Sequence, residues 1–362
     1  MGIGDSMKLS LCMIVRDEEA VLARCLQGVA PYVDEVVIAD TGSTDRTAEI
    51  AKSFGCKLFS FAWRDDFSAA RNFCFDNAQG DYLLWLDADD YISEENGVRL
   101  LALKKQIAEE APDTVMCPYA VSFSDDGRPA QSFLRERILK NRPESRFRGR
   151  VHECAAPWGK IINSDFTVFH LGSQKSRGAR NLHIYQKWMK EEGLSGRDAF
   201  YYGRELYYNG LYTEAVAVLE EMLRGDGWYV NKIEACKITS LCYLARGDKE
   251  RALEALFRSF LFGEPRAGVL CAIASICYGA GQLKEAAFFY ESALLARSHV
   301  AEGDFEEATD LSLTPLLQLT CIYHALGEKE RAVGAHLRAE ALFPDHPAVQ
   351  YNRRYYEEKG WL

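Results

Sequence analysis

The stretch of sequence that decides the fold is an apolar run that ends in three carboxylates, Leu83-Leu84-Trp85-Leu86-Asp87-Ala88-Asp89-Asp90. An apolar run followed by acidic residues predicts a buried β-strand that delivers the acids to the edge of a sheet. Asp87 and Asp89 stand at alternate positions, and alternate residues of a strand point to the same side. The pair is therefore placed to share a divalent cation, or to divide a cation and a ribose between them. Hard cations take oxygen ligands and bridge to phosphates, so the pattern predicts a nucleotide diphosphate site.

The composition is that of an ordinary globular protein with room for two domains. The chain has 362 residues, of which 48% are hydrophobic and 27% are charged, and its net charge is -10. This charge argues against general nucleic-acid binding and against adhesion to anionic membranes. No apolar run approaches the roughly 18 residues of a membrane span, and no signal peptide is recognisable at the N-terminus. The 11 cysteines are scattered singly, which predicts a reducing, cytoplasmic location.

The first 170 or so residues alternate strand and helix signals. Four short apolar runs predict strands, at residues 9–15, 34–40, 57–61 and 82–86. Helical patterns between them predict an α/β domain with a parallel sheet, in which the ligand crevice lies beyond the carboxyl ends of the strands. Polar clusters follow three of the runs, at residues 16–18, 40–45 and 87–89. Because these clusters share one edge of the sheet, they predict a binding site there.

From about residue 195 the pattern changes to helix alone. A glycine followed five positions later by an alanine recurs four times, as Gly210 with Ala215, Gly247 with Ala252, Gly281 with Ala286 and Gly327 with Ala332. Glycine permits the tight turn between two antiparallel helices, and the small alanine permits their close approach. The glycines are spaced by roughly 34 to 46 residues, which fits tetratricopeptide-like helical hairpins.

These patterns predict three segments. Residues 1–170 form the α/β domain and residues 195–362 form the helical repeat domain. Residues 171–194 begin with glycine, serine and basic side chains and are predicted as a linker.

Four motifs in this order resemble those of a family 2 glycosyltransferase of the GT-A fold. They lie at residues 12–18, 40–47, 67–72 and 86–89. A second set is similar to the branch of the family that contains the sublancin S-glycosyltransferase, which glycosylates a peptide cysteine. This set lies at residues 147–153, 169–172 and 202–206. The resemblance implies a mixed, nucleotide-binding sheet flanked by helices and an inverting transfer from a nucleotide-activated sugar.

The resemblance also implies which residues hold the nucleotide sugar. Asp40 matches an acid that accepts the N3 hydrogen of uracil, with helix capping as its alternative role. The other implied contacts are Val15, Arg16, Glu18, Ser43, Asp45, Arg71, Asn72, Asp87, Ala88 and Arg137. Ser43 and Asp45 are equally suited to capping the next helix, and Arg71 and Asn72 to a solvated helix face. Arg135 and Arg137 alternate on a predicted strand and suit either the pyrophosphate or a solvated surface.

For the metal, the resemblance implies that Asp89 binds an Mn²⁺ or Mg²⁺ ion that bridges the diphosphate. Asp87 either shares this ion or faces the ribose. GT-A enzymes often add a later histidine, and His170 fits because it ends a short apolar run, with His152 as its competitor. A core histidine is the alternative for His170. The ion would neutralise charge on the departing UDP oxygen.

Inversion by direct displacement needs a base near the acceptor nucleophile. Glu153 is the first candidate, because it follows the turn-like segment at residues 148–150, and Asp90 is the second. The alternative for Glu153 is an ion pair with Arg148 or Arg150.

The sequence therefore predicts a metal-dependent inverting glycosyltransferase with a UDP-sugar donor, UDP-glucose or UDP-N-acetylglucosamine. Stacked helical hairpins form concave surfaces that hold extended peptides, so the predicted acceptor is a Ser, Thr or Cys side chain of a peptide or protein. The repeats are equally suited to a homodimer, which leaves a glycan or small-molecule acceptor open. A catalytically dead sugar-nucleotide domain on a repeat scaffold is a further hypothesis, which the intact Asp87, Asp89, His170 and Glu153 disfavour.

Overall fold

The chain folds into two compact units, Met1–Lys190 and Glu191–Leu362. The computed structural model describes residues 7–123, 129–172, 179–300, 303 and 305–362. Each unit has its own buried apolar core. Over the described ranges, none of the helices combines the length and the apolar character that crossing a membrane requires.

Unit 1 is an α/β domain built on one mixed sheet. Its strands are β1 Leu9–Val15, β2 Glu35–Asp40, β3 Lys57–Ser60, β4 Tyr82–Trp85, β5 Asp90–Tyr91, β6 Thr114–Phe123, β7 Pro129–Lys140, β8 Ile161–Asn163 and β9 Val168–His170. They run in the order β3-β2-β1-β4-β7-β6-β9-β5, with β8 beside β6. The first four strands are parallel, as predicted, and β7 joins β4 antiparallel. The mixed sheet implied by the resemblance is confirmed.

Helices cover both faces of this sheet. The helices of unit 1 are α1 Leu22–Val29, α2 Thr47–Ser53, α3 Phe67–Asp76, α4 Glu94–Glu110 and α5 Arg180–Glu191. Buried side chains of α1, α2 and α4 join one apolar cluster, and those of α3 join the cluster on the opposite face. The strands β1, β2 and β4 are therefore buried on both sides, which explains their continuous apolar sequences, whereas the edge strand β3 is partly exposed.

The predicted linker at residues 171–194 is corrected by the structure where it is described. Its residues 180–191 form α5, in which Leu182, Ile184 and Tyr185 are buried. The Tyr185 hydroxyl donates a hydrogen bond to the Val151 carbonyl at 3.2 Å. The glycine- and serine-rich composition that precedes α5 hid its apolar spacing. Residues 173–178 of the predicted linker lie outside the described residues.

The carboxyl ends of β1, β2 and β4 meet at one edge, as the sequence predicts. Val15 at the end of β1 lies beside Asp40 at the end of β2. On the other side of β1, Cys12 lies beside Trp85 at the end of β4. The chain thus adds β2 on one side of β1 and later adds β4 on its other side. The crevice at such a topological switch point is the usual ligand site of an open α/β sheet.

Unit 2 consists of helical hairpins. Its helices are α6 Gly196–Tyr208, α7 Tyr212–Arg224, α8 Tyr229–Ala245, α9 Lys249–Arg258, α10 Ala267–Gly279, α11 Leu283–Ala293, α12 Leu313–Ala325, α13 Lys329–Leu342 and α14 Pro347–Glu358. The four predicted turn glycines all have left-handed backbones, with φ between 75° and 78°. The four alanines that follow them are fully buried. The predicted helical repeats are confirmed.

The connection between α11 and α12 sets the third hairpin apart from the others. It runs over residues 294–312, whereas α7 and α8 are joined by residues 225–228. It accounts for the longest of the glycine spacings, from Gly281 to Gly327. A short 3₁₀ turn, Ala308–Leu311, closes it just before α12.

We expect Gly281→Ala to destabilise the third hairpin by about 1–2 kcal/mol, the cost of a left-handed backbone for a residue with a Cβ. Gly281 has a φ of 77°, and no atom lies within 4 Å of a Cβ placed there, so strain alone acts. Gly279 has equally open space but ends α10, so Gly279→Ala is the matched control and should be neutral or stabilising. Hydrogen exchange of the α10 amides measures both variants, and equal losses would contradict the strain argument.

Candidate active site

A cleft of about 580 Å³ opens at the sheet edge where β1, β2 and β4 end. The predicted site residues that line it are Val15, Arg16, Glu18, Arg71, Asp87, Ala88, Asp89, Arg137, His152, Glu153 and His170. Those that do not line it are Asp40, Ser43, Asp45, Asn72 and Asp90. The fold therefore gathers most of the predicted residues from six segments of the sequence into one place.

Arg71 joins two acids at the floor of the cleft. It is 7% exposed, and α3 presents it because Asp66 caps that helix by accepting the Ala69 amide at 2.8 Å. Its Nη2 donates to Asp87 Oδ1 and its Nε donates to Glu153 Oε1, both at 2.7 Å. The alternative of a solvated helix face is thus wrong for Arg71, which contacts the strand-end acid Asp87.

The pKa values reflect this pairing. Burial on its own lowers the pKa of Arg71, but the charges of Asp87 and Glu153 outweigh it and raise that pKa. Burial raises the pKa of Asp87, but the charges of Arg71 and Arg137 outweigh it and lower that pKa to about 2. Asp87 is therefore a permanent anion at neutral pH.

Asp90 and Arg137 form a second ion pair, fully buried beneath the cleft. Asp90 Oδ2 lies 3.3 Å from Arg137 Nη1 and accepts the Asp87 amide at 3.0 Å. Asp90 Oδ1 accepts the Tyr119 hydroxyl at 3.1 Å and lies 3.2 Å from His170 Nδ1. Both carboxylate oxygens are occupied and the residue is 0% exposed. The prediction of Asp90 as a base is corrected, because an acceptor has no access to it; Asp90 positions its neighbours.

Asp89, Asp90 and His170 form a group suited to a metal ion. One ligand atom from each of them lies within 4.8 Å of the others, and no further such group occurs among the residues that the structure describes. Asp89 and His170 line the cleft, with Asp89 Oδ1 3.7 Å from His170 Nδ1. Asp90 belongs to the layer beneath. Of the residues predicted to hold the metal, Asp87 and His152 stand outside this group.

The electrostatics of the group favour a cation. Burial raises the pKa of the Asp89 carboxyl, and the charges of Asp87 and Asp90 raise it further, while His170 lowers it. The hydrogen bond to Asp90 raises the pKa of His170, although burial opposes this. The carboxylates gathered at this end of the cleft contribute to the raised pKa of both groups.

Asp40, Ser43 and Asp45 build the loop beside the cleft. Asp40 Oδ1 accepts the amides of Gly42 and Ser43 at 3.1 and 2.9 Å and the Ser43 hydroxyl at 2.7 Å. Asp45 Oδ1 accepts the Thr47 amide at 2.9 Å at the start of α2. Of the three, only Asp45 bonds a residue of α2, whereas Asp40 and Ser43 bond within the loop before that helix and do not cap it. The bonds of Asp40 all use Oδ1.

Three further predicted residues have roles that the sequence did not show. Asn72 exchanges two hydrogen bonds with the backbone of Phe147, at 3.0 and 2.9 Å, and so fastens α3 to that segment. Glu153 pairs with Arg71 and not with Arg148 or Arg150. His152 has a left-handed backbone, with φ of 52°, and its ring stacks on Tyr185 with centroids 6.2 Å apart.

Aromatic side chains complete the cleft, and sequence reasoning missed them. Trp85 carries three guanidinium groups near its ring, those of Arg137 at 3.9 Å, Arg71 at 4.8 Å and Arg135 at 5.3 Å. Trp63 also lines the cleft. In the sequence, the only sign of this role was the position of Trp85 at the end of the apolar run. A large aromatic residue at that position is equally typical of the hydrophobic core.

The mixed sheet with helices on both faces and a cleft at its switch point has the architecture of the GT-A fold. The family model described as Glycosyl transferase family 2 matches residues 10–166. The chain therefore carries an N-terminal region that matches the family 2 glycosyltransferases, and it continues into tetratricopeptide-like repeats.

Similar proteins match in parts. A TPR repeat-containing protein of Synechococcus elongatus is 42% identical over 154 residues, which are 42% of this chain and 37% of that protein. The SPbeta prophage-derived glycosyltransferase SunS of Bacillus subtilis is 26% identical over 233 residues, which are 60% of this chain and 54% of that protein. The chain thus spans only about a third to a half of these relatives' lengths. The structure of S. aureus TarS 1-349 in complex with UDP is 16% identical, with a TM-score of 0.42, over 70% of this chain and 91% of that one.

Proposed function

We propose that this chain is a metal-dependent, inverting glycosyltransferase that moves a hexose or N-acetylhexosamine from a UDP-sugar to a side chain of a peptide or protein. The observation that carries the proposal is the pairing of Asp89 with His170 in the cleft of a family 2 domain. A carboxylate and an imidazole beside a strand-end acid match the donor set of a site that holds a divalent cation against a diphosphate.

The residues present fit the Mn²⁺ or Mg²⁺ ion that the sequence predicts. Asp89 and His170 would hold it from the cleft side. Asp90 Oδ1 lies 3.2 Å from His170 Nδ1, and a carboxylate beside an imidazole in this way orients the ring of a metal-binding histidine. When bound, the ion supplies Lewis-acid stabilisation of the departing diphosphate.

The nucleotide contacts that we propose follow from which atoms remain available. Asp40 uses only Oδ1 in its loop, so Oδ2 is assigned to the uracil N3 hydrogen. Asp87 is held by Arg71 outside the metal-suited group, so we assign it to the ribose rather than to the ion. Arg71 and Arg137 keep the acids of the floor ionised and in place, and this is a positioning role.

Glu153 is the proposed base. It lines the cleft, and its Oε1 accepts from Arg71 at 2.7 Å, which leaves Oε2 for the acceptor. In the transfer, the acceptor oxygen or sulfur forms the new bond to the anomeric carbon as the bond to the UDP oxygen breaks. Glu153 takes the proton of the hydroxyl or thiol, and UDP leaves as the anion.

The acceptor class rests on unit 2 and on the resemblance to the peptide-modifying branch of the family. Stacked helical hairpins are suited to extended peptides. The cytoplasmic location and the homodimer through the repeats remain predictions. The 11 free cysteines fit a reducing compartment.

Mass spectrometry tests this function directly. The protein is incubated with Mn²⁺, with UDP-glucose or UDP-N-acetylglucosamine, and with peptides encoded beside its own gene. We expect UDP release and a peptide mass increased by one hexose or one N-acetylhexosamine. UDP release with sugar transfer only to a glycan or a small molecule would favour the alternative acceptor, and neither binding nor turnover would favour a scaffold.

The affinity for Mn²⁺ should rise between about pH 6 and pH 8, because a protonated imidazole cannot act as a ligand. The hydrogen bond to Asp90 raises the pKa of His170, so in the metal-free protein this proton must leave as the ion binds. Below the pKa of His170, the affinity for Mn²⁺ should therefore increase by up to about tenfold per pH unit. Above that pKa, the affinity should no longer depend on pH. Calorimetric titration with Mn²⁺ measures this, and His170→Gln, which removes the titrating group, should flatten the slope. An unchanged slope in His170→Gln would contradict the assignment.

A further inference from the structure

Two aromatic side chains, Trp63 and Phe67, line the cleft of unit 1 and contact each other. Their rings meet edge to face, with centroids 4.8 Å apart. Phe67 begins α3 and stands four residues before Arg71, and residues four apart share one face of a helix. Arg71 also lines the cleft, so the two rings continue the surface that Arg71 begins. We call Trp63 and Phe67 the aromatic wall.

The chain joins the aromatic wall to both acids that we assigned to the nucleoside. On one side, the Phe61 amide donates to the Asp40 carbonyl at 2.8 Å, and Trp63 follows two residues later. On the other side, Arg71 Nη2 donates to Asp87 Oδ1 at 2.7 Å. Asp40 is assigned to the uracil N3 hydrogen and Asp87 to the ribose. A base held between these two acids therefore lies beside the aromatic wall.

The indole of Trp63 is held in place by a residue with an unusual backbone. Its Nε1 donates to Asp65 Oδ1 at 3.1 Å, and Asp65 has a left-handed backbone with φ of 61°. Asp65 Oδ2 in turn accepts from Lys187 Nζ of α5 at 2.7 Å. Residues other than glycine adopt this conformation at a cost in energy, and they concentrate at functional sites. The indole is thus fixed before a ligand binds, which reduces the entropy cost of binding.

The two rings of the aromatic wall have different surroundings. The guanidinium carbon of Arg180 lies 4.9 Å from the centroid of the Phe67 ring, and the Phe67 amide donates to the Arg150 carbonyl at 2.8 Å. Phe67 is therefore contacted by a cation and by the indole, and it supports Trp63. The Trp63 ring meets Phe67 and the cleft.

We propose that Trp63 stacks on the uracil ring of the donor and makes the cleft prefer a planar, aromatic base. This contact rests on the proposed function, because it needs a uridine nucleotide in the cleft. It covers the face of a base of which Asp40 reaches only the edge. Stacking of a base on an aromatic side chain contributes about tenfold in affinity, as measured by substitution with alanine.

Calorimetric titration of the full chain with UDP and with 5,6-dihydro-UDP, both in the presence of Mn²⁺, tests this contact. The dihydro base keeps its N3 hydrogen and both carbonyls but loses the planar aromatic ring. The unaltered chain should bind UDP at least about fivefold more tightly than dihydro-UDP. Trp63→Ala should lower the affinity for UDP about tenfold and should bind both ligands about equally. Trp63→Phe keeps an aromatic face, so it should retain the preference for UDP.

Trp158→Ala is the matched control. Trp158 also donates its indole N–H to a polar side chain, Ser145 Oγ at 2.9 Å, but it does not line the cleft. Its replacement should leave the affinity for UDP and the preference over dihydro-UDP unchanged.

Three results would contradict the stacking of Trp63 on the base. Equal binding of UDP and dihydro-UDP by the unaltered chain would overturn it, and this measurement needs no variant to fold. Unchanged affinity for UDP in folded Trp63→Ala, together with a raised KM for the acceptor, would assign the aromatic wall to the acceptor instead. Binding of neither ligand by the unaltered chain would overturn the proposed function, and the stacking with it.

Discussion

Replacing Asp89 by asparagine is expected to reduce kcat/KM for sugar transfer at least about a hundredfold, while the fold is retained. Partners that only orient a metal ligand typically account for 10- to 100-fold in affinity or activity, so a direct ligand accounts for more. Asp89 is the one acid of the metal-suited group that faces the cleft. The substitution keeps its shape and removes the charge that a divalent cation needs.

Asp165→Asn is the control for this first prediction, because it removes an equal charge from an acid of unit 1 whose side chain is 79% exposed. It should leave kcat/KM and Mn²⁺ affinity unchanged. UDP release at saturating and at limiting Mn²⁺ separates the two effects of Asp89→Asn, since loss of metal affinity is partly restored by excess ion. Full activity in Asp89→Asn would remove the metal role from the proposal.

The second large effect is structural: Arg71→Met should lower the free energy of unfolding of unit 1 by about 3 kcal/mol. Arg71 and Glu153 are 9% and 12% exposed at their side chains, so the substitution leaves Glu153 as a nearly buried, unpaired charge. Asp87 is 34% exposed at its side chain, so water screens its charge when Arg71 is removed. The expected loss of stability is therefore at the lower end of the range for broken buried ion pairs. Hydrogen exchange at the amides of β1 and β4 reports this free energy.

Arg99→Met provides the matched control for Arg71→Met. Arg99 also contacts two acids, Glu95 at 2.6 Å and Asp165 at 3.9 Å, but both acids are largely exposed. Surface pairs of this kind contribute at most about 1 kcal/mol. If both substitutions cost the same, burial of the Arg71 pair is not the source of its stabilisation.

The parts of the fold that were predictable are those whose signal is local. The apolar run predicts the buried strand β4 and the acids that follow it. The predicted alternation of Asp87 and Asp89 is wrong, because β4 ends at Trp85 and both acids lie in the turn beyond it. In unit 2, each turn glycine must adopt a positive φ and each alanine must be small, so four repeats were recognisable.

The parts that were not predictable depend on contacts between distant residues. Glu153 pairs with Arg71, 82 positions earlier in the chain, in preference to the arginines close to it in sequence. Arg137 alternates with Arg135 on β7, as predicted, yet it is buried against Asp90 of β5. No spacing rule separates a buried arginine from a solvated one, because the difference lies in which acid the fold brings beside it.

Helix α5 and the course of the α11–α12 connection could not be predicted from the sequence, for a different reason. Glycine, serine and basic residues dominate the start of the predicted linker, and their composition outweighed the apolar spacing of Leu182, Ile184 and Tyr185. The connection before α12 has no periodicity, and its contacts depend on Phe305 and Asp310 meeting three helices. Irregular segments carry no pattern of their own, so only the surface that they cover explains their sequence.

Anomalous diffraction from crystals soaked with Mn²⁺ and UDP tests the central claim most directly. The account predicts one strong manganese peak in the cleft of unit 1, about 2.2 Å from oxygen of Asp89 and nitrogen of His170, with the diphosphate on its open side. A manganese peak held by other residues, or UDP bound in the cleft with no ion beside Asp89, would contradict it.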